Sequence, residues 1–170
     1  MVKQFSDKTS YQRKTINEGT RQILVAANKM LATSYFGNEK SPITLVQGSY
    51  SGGVAASAGT HNGGGAFDIT SYNGKNRVRV LRILGTTADI RIKIIDIWDE
   101  HIHGIVCGDG SASKGAKYQV SEYYSGRNGL ANRRRDTGWR PYKLPILFKL
   151  NGNLSRHYIT TKTEIGRAHV

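Results

Sequence analysis

Apolar positions recur along this chain at periods that mark out its secondary structure. Ile16, Ile23, Leu24, Ala27, Met30 and Leu31 are spaced mostly by three, four and seven. That spacing predicts an amphipathic helix from about Glu18 to Ala32. Ile43 to Val46 follows Pro42 and reads as a short strand entering the turn Gln47-Gly48-Ser49-Tyr50-Ser51. Gly52 to Gly65 is small-residue chain, and Phe67 to Thr70 then alternates. Asp68 falls on one face there and Phe67 with Ile69 on the other. Arg77 to Leu84 reads as a helix with Val78, Leu81 and Leu84 inward and Gly85 as its stop. Ala88 to Ile97 is isoleucine-rich and predicts one or two strands, and Ile102 to Val106 alternates around His103 as a core strand. Ser113 to Tyr124 predicts a helix capped by Ser111 or Ser113 and ended by Gly126. No internal repeat or heptad interrupts this order.

The chain has 170 residues, enough for one domain with its own core. Its 20 glycines and 38% hydrophobic residues fit a loop-rich globular protein. Cys107 is the single cysteine, so no intrachain disulfide forms and no cysteine cluster competes for a metal. The start, Met-Val-Lys-Gln-Phe-Ser-Asp-Lys, lacks the apolar core of a signal peptide, and no run reaches the roughly 18 to 20 apolar residues of a membrane span. The expectation is a protein made soluble in the cytoplasm. The net charge of +13 calls for an acidic partner. Nucleic acid is one candidate, through Arg133-Arg134-Arg135 and nearby tyrosines, and an anionic bacterial wall is the other.

The chemistry-bearing residues lie in two clusters. His61 and Asp68 stand seven apart across Gly63-Gly64-Gly65, and Glu100-His101-Ile102-His103 follows later. A tetrahedral zinc takes three such ligands and keeps one position for water, whose proton a nearby carboxylate accepts. Three of the five histidines fall in these clusters. The glycine run is no phosphate loop, since no Gly-Lys-Ser/Thr follows it. Small residues between His61 and Asp68 are expected to let the backbone fold tightly about an ion. The pattern reads as a small zinc hydrolase. His101 lies two residues from His103 and would share its face on a strand, so it is either a ligand itself or a lining residue that steadies the transition state. His157 and His169 lie outside every motif.

His61, Gly64, Ala66 and Asp68 fit a His-x-x-Gly-x-Ala-x-Asp pattern, and Glu100-x-x-His103 fits Glu-x-x-His. In these motifs the chain resembles the zinc D,D-carboxypeptidase and L-alanyl-D-glutamate endopeptidase family of the VanX/VanY type. The string from Gln47 to Asp68, and Gly126-Arg-Asn-Gly-Leu-Ala131, are similar to a subgroup common in bacteriophages of actinobacteria. The resemblance runs from about Thr15 to Pro141. It implies an α+β fold of the Hedgehog/D,D-peptidase type, a small antiparallel sheet flanked by helices. It implies one Zn2+ held by His61, Asp68 and His103, with Glu100 as general base and later proton donor to the leaving amine. The family favours His103 over His101 as the ligand. Many members carry an arginine just after the aromatic residue of the first strand; here that neighbourhood holds none, and Gln47, Ser49 or Tyr50 is left to contact the substrate or transition state, more weakly than a cation. A serine often found two residues before the first ligand is Gly59 here.

The implied function is a peptidoglycan peptidase cutting a stem-peptide amide next to a D-amino acid, in a phage endolysin or virion-associated lysin. Such a protein is expected to be monomeric, to wait in the host cytoplasm for holin-dependent release or to travel in the virion, and to meet the anionic wall rather than a specific nucleic acid. The alternative is a non-catalytic wall-binding or virion structural protein that keeps the fold. Residues 1–142 form the expected peptidase domain, and 143–163 a linker or the start of a lost C-terminal region. The last seven residues, Glu164-Ile-Gly-Arg-Ala-His-Val170, match the translation of a common sequencing adapter preceded by a G and are expected to be an artefact.

Overall fold

A computed structural model describes residues 3–52, 58–92, 100–129 and 133–135. The chain opens with a hairpin of β1 (Lys8–Tyr11) and β2 (Lys14–Asn17), followed by α1 (Glu18–Leu31) and β3 (Leu45–Gln47). Then come β4 (Ala66–Thr70), α2 (Gly74–Ile83), β5 (Asp89–Ile92), β6 (Glu100–Ile105) and α3 (Lys114–Tyr124). The architecture is α+β, with a two-stranded sheet and a four-stranded antiparallel sheet of order β3-β4-β6-β5. Among the described residues no helix is long and apolar enough to cross a membrane. The expectations placed on residues 93–97 and 143–170 lie outside the described residues.

The long apolar period resolves as expected. α1 buries Ile23, Leu24, Ala27, Met30 and Leu31 along one stripe. Against it lies one face of the larger sheet, with Leu45, Phe67, Ile69 and Ile102 in the same core. α2 begins three residues earlier than its sequence reading, and it buries Val80 with Leu81 while Val78 is only partly covered. The strand expected over Ile43 to Val46 starts at Leu45, with Ile43 buried just before it. Ser113 caps α3, its side chain accepting from the Ala116 N–H, and Gly126 follows the helix with φ +71°. The β1–β2 hairpin gave no turn signal, because its corner, Gln12-Arg13, takes positive φ without glycine or asparagine.

The two faces of the sheet have different fates. Alternation along β4 and β6 sends Phe67, Ile69 and Ile102 to the main core and Asp68, His101 and His103 to the opposite face. α3 covers one end of that second face through a small cluster of Ala66, Ile105, Ala112 and Ala116. The polar residues beyond that cluster therefore share a face roofed by a helix at one end.

α2 also buries two arginines, Arg77 and Arg82. Arg77 forks onto Glu39, with further bonds to Thr70 and to the Ser41 carbonyl, and this pair ties the segment after α1 to α2. Removing one partner of a buried pair strands the other charge, at about 3–5 kcal/mol. Glu39→Ala is therefore expected to lower unfolding stability by about that amount, measured by chemical denaturation. A loss under about 1 kcal/mol, the range of exposed pairs, would show that the Arg77 charge is compensated elsewhere.

Candidate metal centre

Strand register assembles the first part of the site. Asp68 on β4 is paired directly with His103 on β6, and Thr70 with His101, so these side chains stand on one face. His61 arrives from a single 3-10 turn over Thr60–Asn62, entered through Gly59 in the left-handed region. Two backbone bonds hold that turn: the Ser51 N–H donates to the His61 carbonyl (3.0 Å) and the Tyr50 N–H to that of Gly63 (3.2 Å). The glycine run is pressed closely against neighbouring chain. A Cβ on Gly63 would lie 2.5 Å from the Ser111 carbonyl oxygen and Ser113 nitrogen, and one on Gly64 2.2 Å from the Asn17 amide.

That packing is locked by a polar network that the sequence reading did not find. Asn17 donates to Asp109 (2.7 Å) and to Ser111 (2.7 Å), and accepts from the Tyr50 hydroxyl (2.8 Å). Asp109 is buried and also accepts from the Ser111 N–H and hydroxyl. Residues from three distant parts of the chain thus hold the loop that delivers His61. No local sequence signal marks such a network.

His61, Asp68 and His103 are all buried, and one ligand atom from each lies within 4.8 Å of the others. Asp68 Oδ1 is 2.6 Å from His103 Nδ1 and 3.3 Å from His61 Nε2, and the two ring nitrogens are 3.3 Å apart. The far side of each imidazole is also engaged. His61 Nδ1 is 2.8 Å from the Gly48 carbonyl, which can only accept, so that nitrogen carries a proton and, in the neutral ring, Nε2 presents its lone pair inward. His103 Nε2 meets Gln119 Oε1 at 3.0 Å.

Burial works against a charged Asp68, but the hydrogen bonds and charges of His103 and His61 outweigh it and hold the carboxyl well below its ordinary range. Burial also opposes charging of His61, and the Asp68 hydrogen bond and charge overcome it and raise the His61 pKa. Both shifts describe a site that attracts a cation, whether a proton or a metal ion. A carboxylate and two imidazoles converging on one buried point could hold a metal ion.

Of the other candidate residues, His101 shares the face of His103, with Nε2 4.0 Å from Asp68 Oδ2. His101 thus flanks the carboxylate from outside the group of three. Glu100 is not brought to the site. It is the exposed first residue of β6, paired with Ile92, and alternation directs it to the face of Ile102. A spacing of three suits a helix or turn; on this regular strand it places Glu100 and His103 on opposite faces. Gln47 stands opposite Asp68 in the register, half-buried, and donates to the Ser51 hydroxyl at 3.0 Å. Ser49 is buried and donates to the Ala66 carbonyl, while Tyr50 is held by Asn17 and lies under Lys8. Ser49 and Tyr50 are thus bound into the scaffold.

No family model, curated protein or solved structure matches this chain.

Protons and a metal ion compete for these three groups. Without metal, the raised His61 pKa means that its contribution to stability is present below its unfolded value near 6.5 and is lost as pH rises through the folded one. The lowered Asp68 pKa means that its contribution is present above 3.8 and is lost as pH falls through its folded value. The metal-free protein is therefore expected to gain more from this pair at pH 5.5 than at pH 8. Added zinc is expected to raise the melting temperature more at pH 8 than at pH 5.5, with no such rise in His61→Ala or His103→Ala. An equal rise in those variants would place the metal elsewhere.

Proposed function

We propose that this protein is a zinc peptidase acting on peptidoglycan, built on the Hedgehog/D,D-peptidase plan and deployed as a phage endolysin or virion-associated lysin. The observation that supports it most is the buried His61–Asp68–His103 group. Two imidazoles and one carboxylate form a donor set suited to zinc, with its fourth position left for chemistry. A tetrahedral ion with bonds of about 2.0–2.1 Å has donor–donor edges of about 3.3 Å. Two of the three edges here are 3.3 Å. When bound, zinc lowers the pKa of a coordinated water to about 7 and polarises the scissile carbonyl.

The chain's own residues then divide the remaining work. His61 and His103 stay neutral as ligands, and Asp68 supplies the negative charge. The base must stand on the metal face, and of Glu100 and His101 strand alternation sets only His101 there. In this reading His101 takes the proton of the attacking water and returns it to the leaving amine. Gln47, on the strand beside Asp68, is the residue this reading assigns to hydrogen-bond the substrate backbone. Glu100 lies on the other face and has no direct part in proton transfer.

Mass spectrometry of purified peptidoglycan after incubation with the zinc-loaded protein tests the activity. Release of stem-peptide fragments cut beside a D-residue is expected. Intact peptidoglycan with zinc fully bound would favour the non-catalytic wall-binding protein instead. His101→Gln is expected to retain zinc and lose about 10² to 10⁴ in rate, while Glu100→Gln keeps most of its turnover. The reverse result would return the base to Glu100.

The basic surface supports attraction to an anionic wall, and the arginine triplet has a divided role in it. Arg133 forks onto the buried Glu122 carboxylate (3.0 and 3.1 Å), pinning its segment to α3. Arg134 and Arg135 are exposed. Reversing Arg134 and Arg135 to glutamate is expected to slow lysis of intact walls while sparing a small soluble stem peptide. Added salt is expected to do the same, because exposed charges are screened beyond about 8–10 Å. Equal losses on both substrates would place these arginines in the active site or the fold.

A further inference from the structure

We infer that Gln119, flanked by Gly129, is the positioning residue that selects which nitrogen of His103 faces the metal. The inference rests on the metal reading of the His61–Asp68–His103 group and adds a residue outside that group. His103 turns Nδ1 toward Asp68 and His61 and Nε2 toward Gln119 Oε1, 3.0 Å away. A neutral imidazole carries one proton, and an amide oxygen on Nε2 favours that proton there. Nδ1 is then left with its lone pair on the metal side. His61 achieves the mirror arrangement with a backbone acceptor, the Gly48 carbonyl. The site therefore needs its two histidines in opposite tautomers, and for His103 the acceptor is a side chain rather than the backbone.

A glutamine side chain has three rotatable torsions, so its stem must be held for this to work. α3 lies over the metal face through Ala116, packed with Ala112, Ala66 and Ile105, which places Gln119 one turn further along above His103. After α3 the chain turns back: the Arg127 N–H bonds the Glu122 carbonyl at 2.9 Å, and Gly129 comes beside the stem of Gln119. A Cβ on Gly129 would lie 3.3 Å from Gln119 Cγ and 3.4 Å from its Cβ, and the backbone there has φ +69°. Both facts favour glycine at 129. Gly126-Arg-Asn-Gly129, a motif with no assigned chemistry of its own, thus acts on the metal centre through Gln119.

Groups that orient a ligating histidine typically contribute a factor of about 10–100 in metal affinity. Zinc titration of the full chain, with 15N spectra of the zinc-loaded histidines, tests the inference. The wild type is expected to bind zinc through His103 Nδ1 and to show a proton on Nε2. Gln119→Leu, which removes the acceptor at similar size, is expected to bind about 10–100-fold more weakly and to lose the fixed Nε2–H signature. Gln119→Glu, whose carboxylate can only accept, is expected to restore affinity and signature. Gly129→Val is expected to weaken zinc in the wild-type background and to add little in Gln119→Leu, because both act through one contact. Unchanged affinity in Gln119→Leu, or failure of Gln119→Glu to restore it, overturns the role of Gln119 while leaving the metal centre standing. A wild type that binds no zinc overturns the metal reading and this inference with it.

Discussion

The constraint on which the site depends is the antiparallel pairing of Asp68 with His103 across β4 and β6. It fixes a carboxylate against an imidazole at 2.6 Å in a buried setting, and His61 closes the group from a loop. Gathering a carboxylate and two imidazoles in a buried setting costs their hydration unless a proton or a metal ion sits among them. The fold tolerates that cost because other contacts hold each group in place. The sheet holds Asp68 and His103, and the Asn17–Asp109–Ser111 network holds the loop that carries His61. A one-residue slip of β6 would turn both histidines into the apolar core and bring Ile102 to the metal face.

Periodicity made some of this legible from sequence. α1 and the alternation around Asp68 and His103 follow from apolar spacing, since each buries one face, and α3 follows from its Ser113 cap and the Gly126 stop. The three proposed ligands were also legible, as residue types in two compact clusters. Glu100 shows where motif spacing and local structure part: three residues on a regular strand end on opposite faces, whereas His101, two residues away, shares the ligand's face. The glycine run answers to a constraint from distant chain. Its residues are small because the turn at 109–113 and Asn17 press against them, and no window of sequence around residue 64 contains that information.

The surroundings of the site were the least legible part. Gly48 acts through its carbonyl, which any residue possesses, and Gln119 lies sixteen positions from the histidine it meets. Ser49 and Tyr50 have the residue types of substrate contacts, yet their hydroxyls are bound to Ala66 and Asn17. Arg133 looks like part of a basic patch in sequence and is in the fold the partner of a buried glutamate. For Ser49, Tyr50 and Arg133 polar type suggested a role in function, and packing assigned one in support.

X-ray absorption at the zinc edge of the loaded protein tests the central claim most directly. The account predicts four light-atom ligands at about 2.0–2.1 Å, two of them with the multiple scattering of imidazole, and no sulfur. A sulfur shell near 2.3 Å would bring Cys107 to the metal, and an all-oxygen shell without imidazole would remove the histidines from it. Either result would contradict the assignment of His61, Asp68 and His103 as the metal centre.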